Sequence, residues 1–382
     1  MDLTDLVALR KDLHAHPELR FEEFRTSGIV ADVLTSLGYR PSRGLAKTGV
    51  VASLSGRKPG PSIILRADMD ALPIDERGDH LHISRHPGRM HACGHDGHTV
   101  MLLGAAAALV VDPPECGTVH FVFQPGEEGG AGAKVMLDDG LLEQFPAGRV
   151  FGMHNWPGLP IGTMATRTGA IMAGGWRFLI DIQGKGSHAA QPHLGRDALT
   201  VGAAFVQDAQ LLVSRRSNPL TAAVLSICTF HSGTTDNIMP ETATLRGTIR
   251  SLDVQELESL KEGMTRLAAG LALAHDVKIT VQFHQPYPVT VNTADETALA
   301  LIAMRQAVGG QGMVVPDMTP SMASEDFGFM LEKRPGALVM VGNGASAPLH
   351  APDYDFDDTI TPHGIAYWVA LAHACLRNNQ DI

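Results

Sequence analysis

The 382-residue sequence predicts an α/β protein: a mixed, mostly parallel sheet flanked by helices, carrying a smaller inserted α+β domain. Three observations predict it. Apolar strand-like runs alternate with helix-period segments and end in polar residues, the pattern of a sheet covered on both faces. From about Gly174 the alternation changes to β-α-β-β-α-β, the signature of a split-βαβ, ferredoxin-like unit. The length also exceeds one ordinary core and argues for about two domains.

Taken in order, Leu3, Leu6, Leu9 and Leu13 recur at helical spacing, and Thr26 or Ser27 caps a second helix running towards Leu37. Residues 49–54 and 62–66 read as buried strands, followed by the loop 67–73. A helix over 97–111 follows a histidine-rich stretch, and residues 118–123 and 150–154 are strands. In the insert, 176–183 alternates as a strand, 198–215 is helical, and 222–231 and 242–250 are strands. A helix over 254–274 and a strand over 278–284 complete it. The first pattern resumes with a helix over 294–307, a strand over 337–341 and a helix over 364–376. The expected organisation is a discontinuous domain of residues 1–173 and 289–382, interrupted by 174–288. Ligands of such sheets gather beyond the carboxyl ends of the strands.

The composition narrows the functional classes. A net charge of -11 leaves no basic footprint for nucleic acid or anionic lipid. The longest apolar run, residues 101–111, is shorter than the about 20 residues a membrane span needs. The charged N-terminus lacks the apolar core of a secretory signal, and the four cysteines have no paired spacing. These features lead us to expect a protein of the reducing cytoplasm, with no nucleic-acid or membrane partner.

Four motifs carry metal and hydrolytic chemistry. In His91-Ala92-Cys93-Gly94-His95-Asp96-Gly97-His98, an extended loop would project Cys93 and His95 to one side, offering a thiolate and an imidazole to a borderline-soft ion. Glu127 and Glu128 follow a strong strand within a glycine-rich frame, so that one can bind metal while the other faces an attacking water. His154 ends another strand, and His350 lies in a Gly- and Pro-rich loop. Each histidine taken singly is more ordinary as a structural residue. Together Cys93, His95, Glu128, His154 and His350 exceed the three protein ligands of one catalytic zinc and suit two ions sharing a water. Asp70, in Asp68-Met69-Asp70, either orients a ligand histidine or caps a turn. His188 and Asn237 sit in loops of the insert whose purpose is not legible from residue chemistry alone. Arg250, Phe178 and Phe230 are more ordinary as core or surface residues than as pocket lining.

These motifs, in this order, resemble the aminoacylase and carboxypeptidase family of two-metal peptidases, and within it the hippurate hydrolase and plant auxin-conjugate hydrolase branch. The resemblance runs from LHAHPELRFEE through RADMDALPI, HACGHDGH, FQPGEEGGAGAKVM, GMHNWP, GKGSHAAQPH and SEDFGFM to LHAPDYDF. It implies that Cys93, His95, Glu128, His154 and His350 bind two divalent ions and that Glu127 is the general acid/base. It further implies that His188 reaches the active site of a partner subunit, that Asn237 contacts the substrate carboxylate, and that the insert is a lid and dimerisation domain of a homodimer. The wider family's His-x-Asp is Asp68-Met69-Asp70 here. Cys93 takes the place of that histidine, and His154 stands where other branches use a carboxylate. Zinc leads the candidate metals, with manganese, cobalt and nickel open. The expected reaction is hydrolysis of an N-acyl amino acid of hippurate or N-acetyl type. The competing readings are a dipeptidase or carboxypeptidase of the same family, and a non-catalytic metal-binding homologue.

Overall fold

Strands form where apolar residues run unbroken, and helices where they recur with a helical period or fill every side. The computed structural model describes residues 1–310 and 312–377. Along the chain run α1 (Leu3–Ala15), α2 (Phe24–Ser36), β1 (Ser42–Leu45), β2 (Gly49–Ser55) and β3 (Lys58–Asp68). Next come α3 (His95–Val111), β4 (Cys116–Gln124), β5 (Arg149–Trp156) and β6 (Thr163–Ala165). The insert supplies β7 (Gly174–Gln183), α4 (Ala198–Leu211), β8 (Ala223–Ser232), β9 (Thr242–Ser251), α5 (Val254–His275) and β10 (Lys278–Tyr287). The chain closes with α6 (Ala294–Val308), β11 (Met313–Val315), β12 (Gly336–Gly342) and α7 (Thr361–Cys375).

Contacts divide the chain into two compact units. One is built on residues 1–171, 290–319 and 326 onward, the other on 172–289 and 320–325. The first holds an eight-stranded sheet in the order β1-β2-β4-β3-β5-β12-β6-β11. Its centre, β4-β3-β5-β12, is parallel, while β1, β2 and the β6–β12 pairing are antiparallel. This is the mixed, mostly parallel sheet expected. The sequence does not show the short strands β1, β6 and β11, since three or four residues cannot display a period. Helix α3 is buried along nearly its whole length and apolar on all sides, as a helix packed inside a domain must be. Parallel register aligns the strand ends: Asp68 of β3 lies opposite Gln124 of β4, and His154 of β5 opposite Met340 of β12. Polar residues placed last in strands of different sequence position therefore meet at one rim.

The second unit has a four-stranded antiparallel sheet in the order β8-β9-β7-β10. With α4 and α5 joining its strands, this is the ferredoxin-like arrangement. Phe178, Ile180 and Ile182 alternate inwards along β7, so Phe178 is a core residue. Helix α4 is capped by Asp197 and ends at Leu211; a wider turn, Leu212–Arg216, takes up the rest of the helix expected over 198–215. Residues Pro320–Glu325 join this unit although they lie far from it in sequence. Ser321 and Ala323 carbonyls accept the Ala173 N–H, and Arg250 donates to the Met322 carbonyl and the Ser324 hydroxyl. No helix among the described residues is long and apolar enough to cross a membrane.

Candidate metal centre

The rim of the larger sheet collects the metal-type side chains. Ligand atoms of Cys93, His95 and His154 lie within 4.8 Å of one another, as do those of Cys93, Glu128 and His350, and those of His95, Glu127 and Glu128. Shared members join these groups into one centre. Cys93 Sγ stands 3.4 Å from His154 Nε2, and His350 Nε2 3.0 Å from Glu128 Oε1. The structure thus brings all five sequence-predicted donors and Glu127 together.

Local backbone explains how. Gly94 adopts φ 82, a left-handed conformation that only glycine takes cheaply, and the chain turns from Cys93 straight into α3 at His95. The expected extended loop is therefore a turn, and the helix starts earlier than 97. A Cβ on Gly94 would lie 2.3 Å from Asn155 Nδ2 and 2.5 Å from the Tyr354 hydroxyl. Those two groups grip the turn: Asn155 donates to the Cys93 carbonyl at 2.6 Å, and Tyr354 donates to Asn155 Oδ1 at 2.8 Å. Gly126, also left-handed, opens the turn bearing Glu127 and Glu128. Asp70 accepts both backbone N–H groups of that turn, at 3.0 and 2.9 Å, and lies 3.3 Å from His95 Nδ1. Asp70 therefore caps the turn and also faces the imidazole. His350 is a non-glycine residue at φ 65, and its N–H reaches the Ala92 carbonyl at 2.8 Å. Such strain, of order 1–3 kcal/mol, concentrates at functional sites.

Electrostatics favour a cation here. Burial alone would lower the His95 pKa, but the carboxylates of Asp68, Asp70 and Glu128 outweigh it and raise it to about 10. Burial drives His154 the other way, well below the ordinary imidazole range, with His98 adding to the effect. Neutral His154 donates Nδ1–H to the Asn155 carbonyl at 2.6 Å, leaving the Nε2 lone pair towards Cys93. Both ring nitrogens of His95 and Glu128 Oε1 are shielded from solvent without a hydrogen bond. Buried polar atoms left in this state are costly. A thiol, three imidazoles and a carboxylate around them fit a pair of borderline divalent ions.

Several supporting residues were missed from sequence. Fully buried Arg66 bonds Gln124, Asp68 and Asp326 at 2.7, 2.8 and 2.8 Å. Asp326 in turn accepts from Ala133 N, and its own N–H points to Glu127 Oε1 at 3.4 Å. His98 donates Nδ1–H to Asp68 at 2.6 Å and accepts the Asn155 N–H at 2.8 Å. Glu23 accepts the Gly126 N–H and the Thr48 hydroxyl, and burial beside Asp70 raises its pKa to about 7. The one signal available was the charge itself, since a polar run such as Arg66-Ala67-Asp68 inside an apolar strand must be paired.

His188 and Asn237 belong to the second unit, both exposed. They are neighbours there: His188 pairs with Ile238 in a short antiparallel ladder, and Ala189 N–H donates to the Asn237 carbonyl at 3.0 Å. The Ala190 N–H donates to His188 Nδ1 at 3.0 Å, which leaves the ring proton on Nε2.

Residues 64–374 match the profile of peptidase family M20/M25/M40. N-acetyl-L-cysteine deacetylase of Bacillus subtilis (strain 168) is 37% identical over 377 residues, covering 98% of this chain and 89% of that protein. IAA-amino acid hydrolase ILR1-like 5 of Arabidopsis thaliana is 37% identical over 386 residues, with 98% and 88% covered. A Bacillus subtilis structure, described as a dinuclear metal-binding peptidase of the M20 family, matches at TM-score 0.85 and 32% identity over 98% of both chains. The chain is a member of peptidase family M20/M25/M40, the two-metal peptidase family its motifs resemble.

Proposed function

We propose that this protein hydrolyses the amide bond of N-acyl amino acids, releasing a carboxylic acid and a free amino acid. The observation that carries the reading is the convergence of Cys93, His95, Glu128, His154 and His350 beside the buried carboxyl of Glu127. Similarity to an N-acetyl-amino-acid deacetylase and an IAA-amino acid hydrolase supports the substrate class. The five donors would hold two divalent ions, which when bound polarise an amide carbonyl and acidify water. Zinc suits the thiolate and imidazole donors best, with manganese, cobalt and nickel as alternatives.

The protein's own groups divide the remaining work. Glu127, adjoining the donors and held in a turn capped by Asp70, takes the proton of the attacking water and returns it to the leaving nitrogen. His188, with its proton on Nε2, donates to the developing oxyanion. Asn237, whose Oδ1 is oriented by the Thr235 hydroxyl, donates its amide N–H to the substrate carboxylate. We assign His188 to the site of a partner subunit in a homodimer. The position of β8 at an edge of its sheet supports pairing, because among the described residues no strand takes up the backbone donors and acceptors on its outer side. Four free cysteines support a reducing, cytoplasmic setting.

Glu127→Gln tests the reading. Its metal content should match wild type while kcat/KM on N-acetyl and N-benzoyl amino acids falls by about 10²–10⁴. Hydrolysis at the wild-type rate would remove Glu127 from the mechanism. Dipeptides and indoleacetyl amino acids in the same panel define the acyl side.

A further inference from the structure

A second group of metal-type side chains lies in the larger unit and shares no residue with the five donors. His14 of α1, His80 in the segment after β3 and Asp355 near the start of α7 present ligand atoms within 4.8 Å of one another. His14 is fully buried, its Nδ1 2.9 Å from Asp96 and its Nε2 2.9 Å from Glu76 Oε1. A bond from one nitrogen to a buried carboxylate is what orients metal-binding imidazoles, and the other nitrogen, here bonded to Glu76, is the one that would exchange its proton for an ion. His80 Nε2 is also 2.9 Å from Glu76 Oε1, yet neither ring nitrogen of His80 makes a hydrogen bond, and both are shielded from solvent. A nitrogen and a carboxylate oxygen at that distance, out of line for a hydrogen bond, sit as two ligands of one ion do. Glu128 and His350 show the same side-on approach in the centre described above.

The surroundings are prepared for a cation. The His82 ring stacks on His80 at 3.9 Å between centroids, and His82 Nε2 holds Asp355 Oδ1 at 3.0 Å. Asp355 also meets Arg10 at 3.2 Å, so its position is set from two sides. Glu76, Asp96, Asp355 and Asp358 supply negative charge, against which stand Arg10, paired with three of them, and Lys11 at Asp358. A cleft of about 450 Å³ is lined in part by Arg10, Lys11, His82, Asp355 and Asp358, so that Asp355 of the group faces it.

We propose that His14, His80 and Asp355, with Glu76 beside them, form a second binding site for a zinc-type divalent ion, independent of the Cys93 centre. Two imidazoles with carboxylates select such an ion over calcium or magnesium. The ion takes the place of the proton between His14 Nε2 and Glu76, and that proton leaves to solvent. Binding ties residues 76–82 to α1 and to the 355 segment, and so acts as a staple rather than as part of hydrolysis.

The test loads full-length protein with zinc and measures ions per chain after gel filtration. His80→Leu should lose one zinc per chain relative to wild type and keep hydrolysis, the retained activity showing that its fold is intact. Asp355→Asn is the second variant, expected to lose the same ion. Zinc content equal to wild type in both variants would overturn the site. Cys93→Ser separates the two centres: it should abolish hydrolysis while the His80-dependent ion stays bound, and loss of that ion in Cys93→Ser would equally overturn independence.

Discussion

At the scale of single residues, the partner of one ring nitrogen decides what each histidine does. His154 gives Nδ1–H to a carbonyl, His98 gives it to Asp68, and His188 accepts at Nδ1 from Ala190. His154 and His98 thereby carry the proton on Nδ1, and His188 carries it on Nε2. His14 is a fourth case, with carboxylates at both nitrogens. Burial opposes its charge, but Asp96 and then Glu76 prevail, and its pKa rises from 6.5 to about 9. A raised imidazole pKa contributes stability fully present below the unfolded value of 6.5 and lost as pH climbs through about 9. In chelator-treated protein, His14→Gln should therefore destabilise by on the order of 1–3 kcal/mol near pH 6 and by clearly less above pH 9. Urea unfolding at the two pH values reads this directly, and an equal loss at both would show that the charge of His14 plays no part.

At the scale of elements, the site depends on how β3, β4, β5 and α3 end or begin. Parallel register sets Asp68 opposite Gln124 and His154 opposite Met340, and two left-handed glycines turn the chain sharply at Cys93–His95 and at Glu127–Glu128. Gly94→Ala would put a methyl group against Asn155 and Tyr354 in a conformation that costs an alanine about 1–2 kcal/mol. The turn holding Cys93 and His95 should shift, and the variant should lose metal and hydrolysis while far-ultraviolet circular dichroism stays native. Full metal content in Gly94→Ala would contradict this. The central strands and the ferredoxin-like order were legible because their runs are long enough to show a period. The convergence of Cys93, His95, Glu128, His154 and His350 was legible because a thiol, imidazoles and paired carboxylates stand at strand ends among glycines. Helix α3 starting at His95 was not, because Gly94 promotes a left-handed turn that apolar spacing does not report. Nor was the Arg66–Asp68–Asp326 network, in which Arg66 and Asp326 are 260 residues apart in sequence. Of the two roles open to Asp70, the cap is the one its hydrogen bonds make, and its other approach is to His95 Nδ1 at 3.3 Å.

At the scale of the whole molecule, the chain divides into two compact units. The larger carries the donors and Glu127, and the smaller carries His188 and Asn237 on an exposed ladder. If His188 serves a partner's site, Glu127→Gln and His188→Ala homodimers should each be nearly inactive. Mixing them after subunit exchange should restore about a quarter of wild-type activity, since half the dimers would be hybrids with one intact site. No recovery, with exchange verified by mass, would place His188 in the site of its own chain or outside catalysis. The insert would then need another role.

The central claim is that five side chains from distant stretches hold a pair of divalent ions. Anomalous diffraction from crystals of zinc-loaded protein measures this most directly. The account predicts two adjacent peaks, together within coordination distance of Cys93 Sγ, His95, Glu128, His154 and His350, with Glu127 facing the space between them. Peaks absent from that position, or a single ion bound without Cys93, would contradict it.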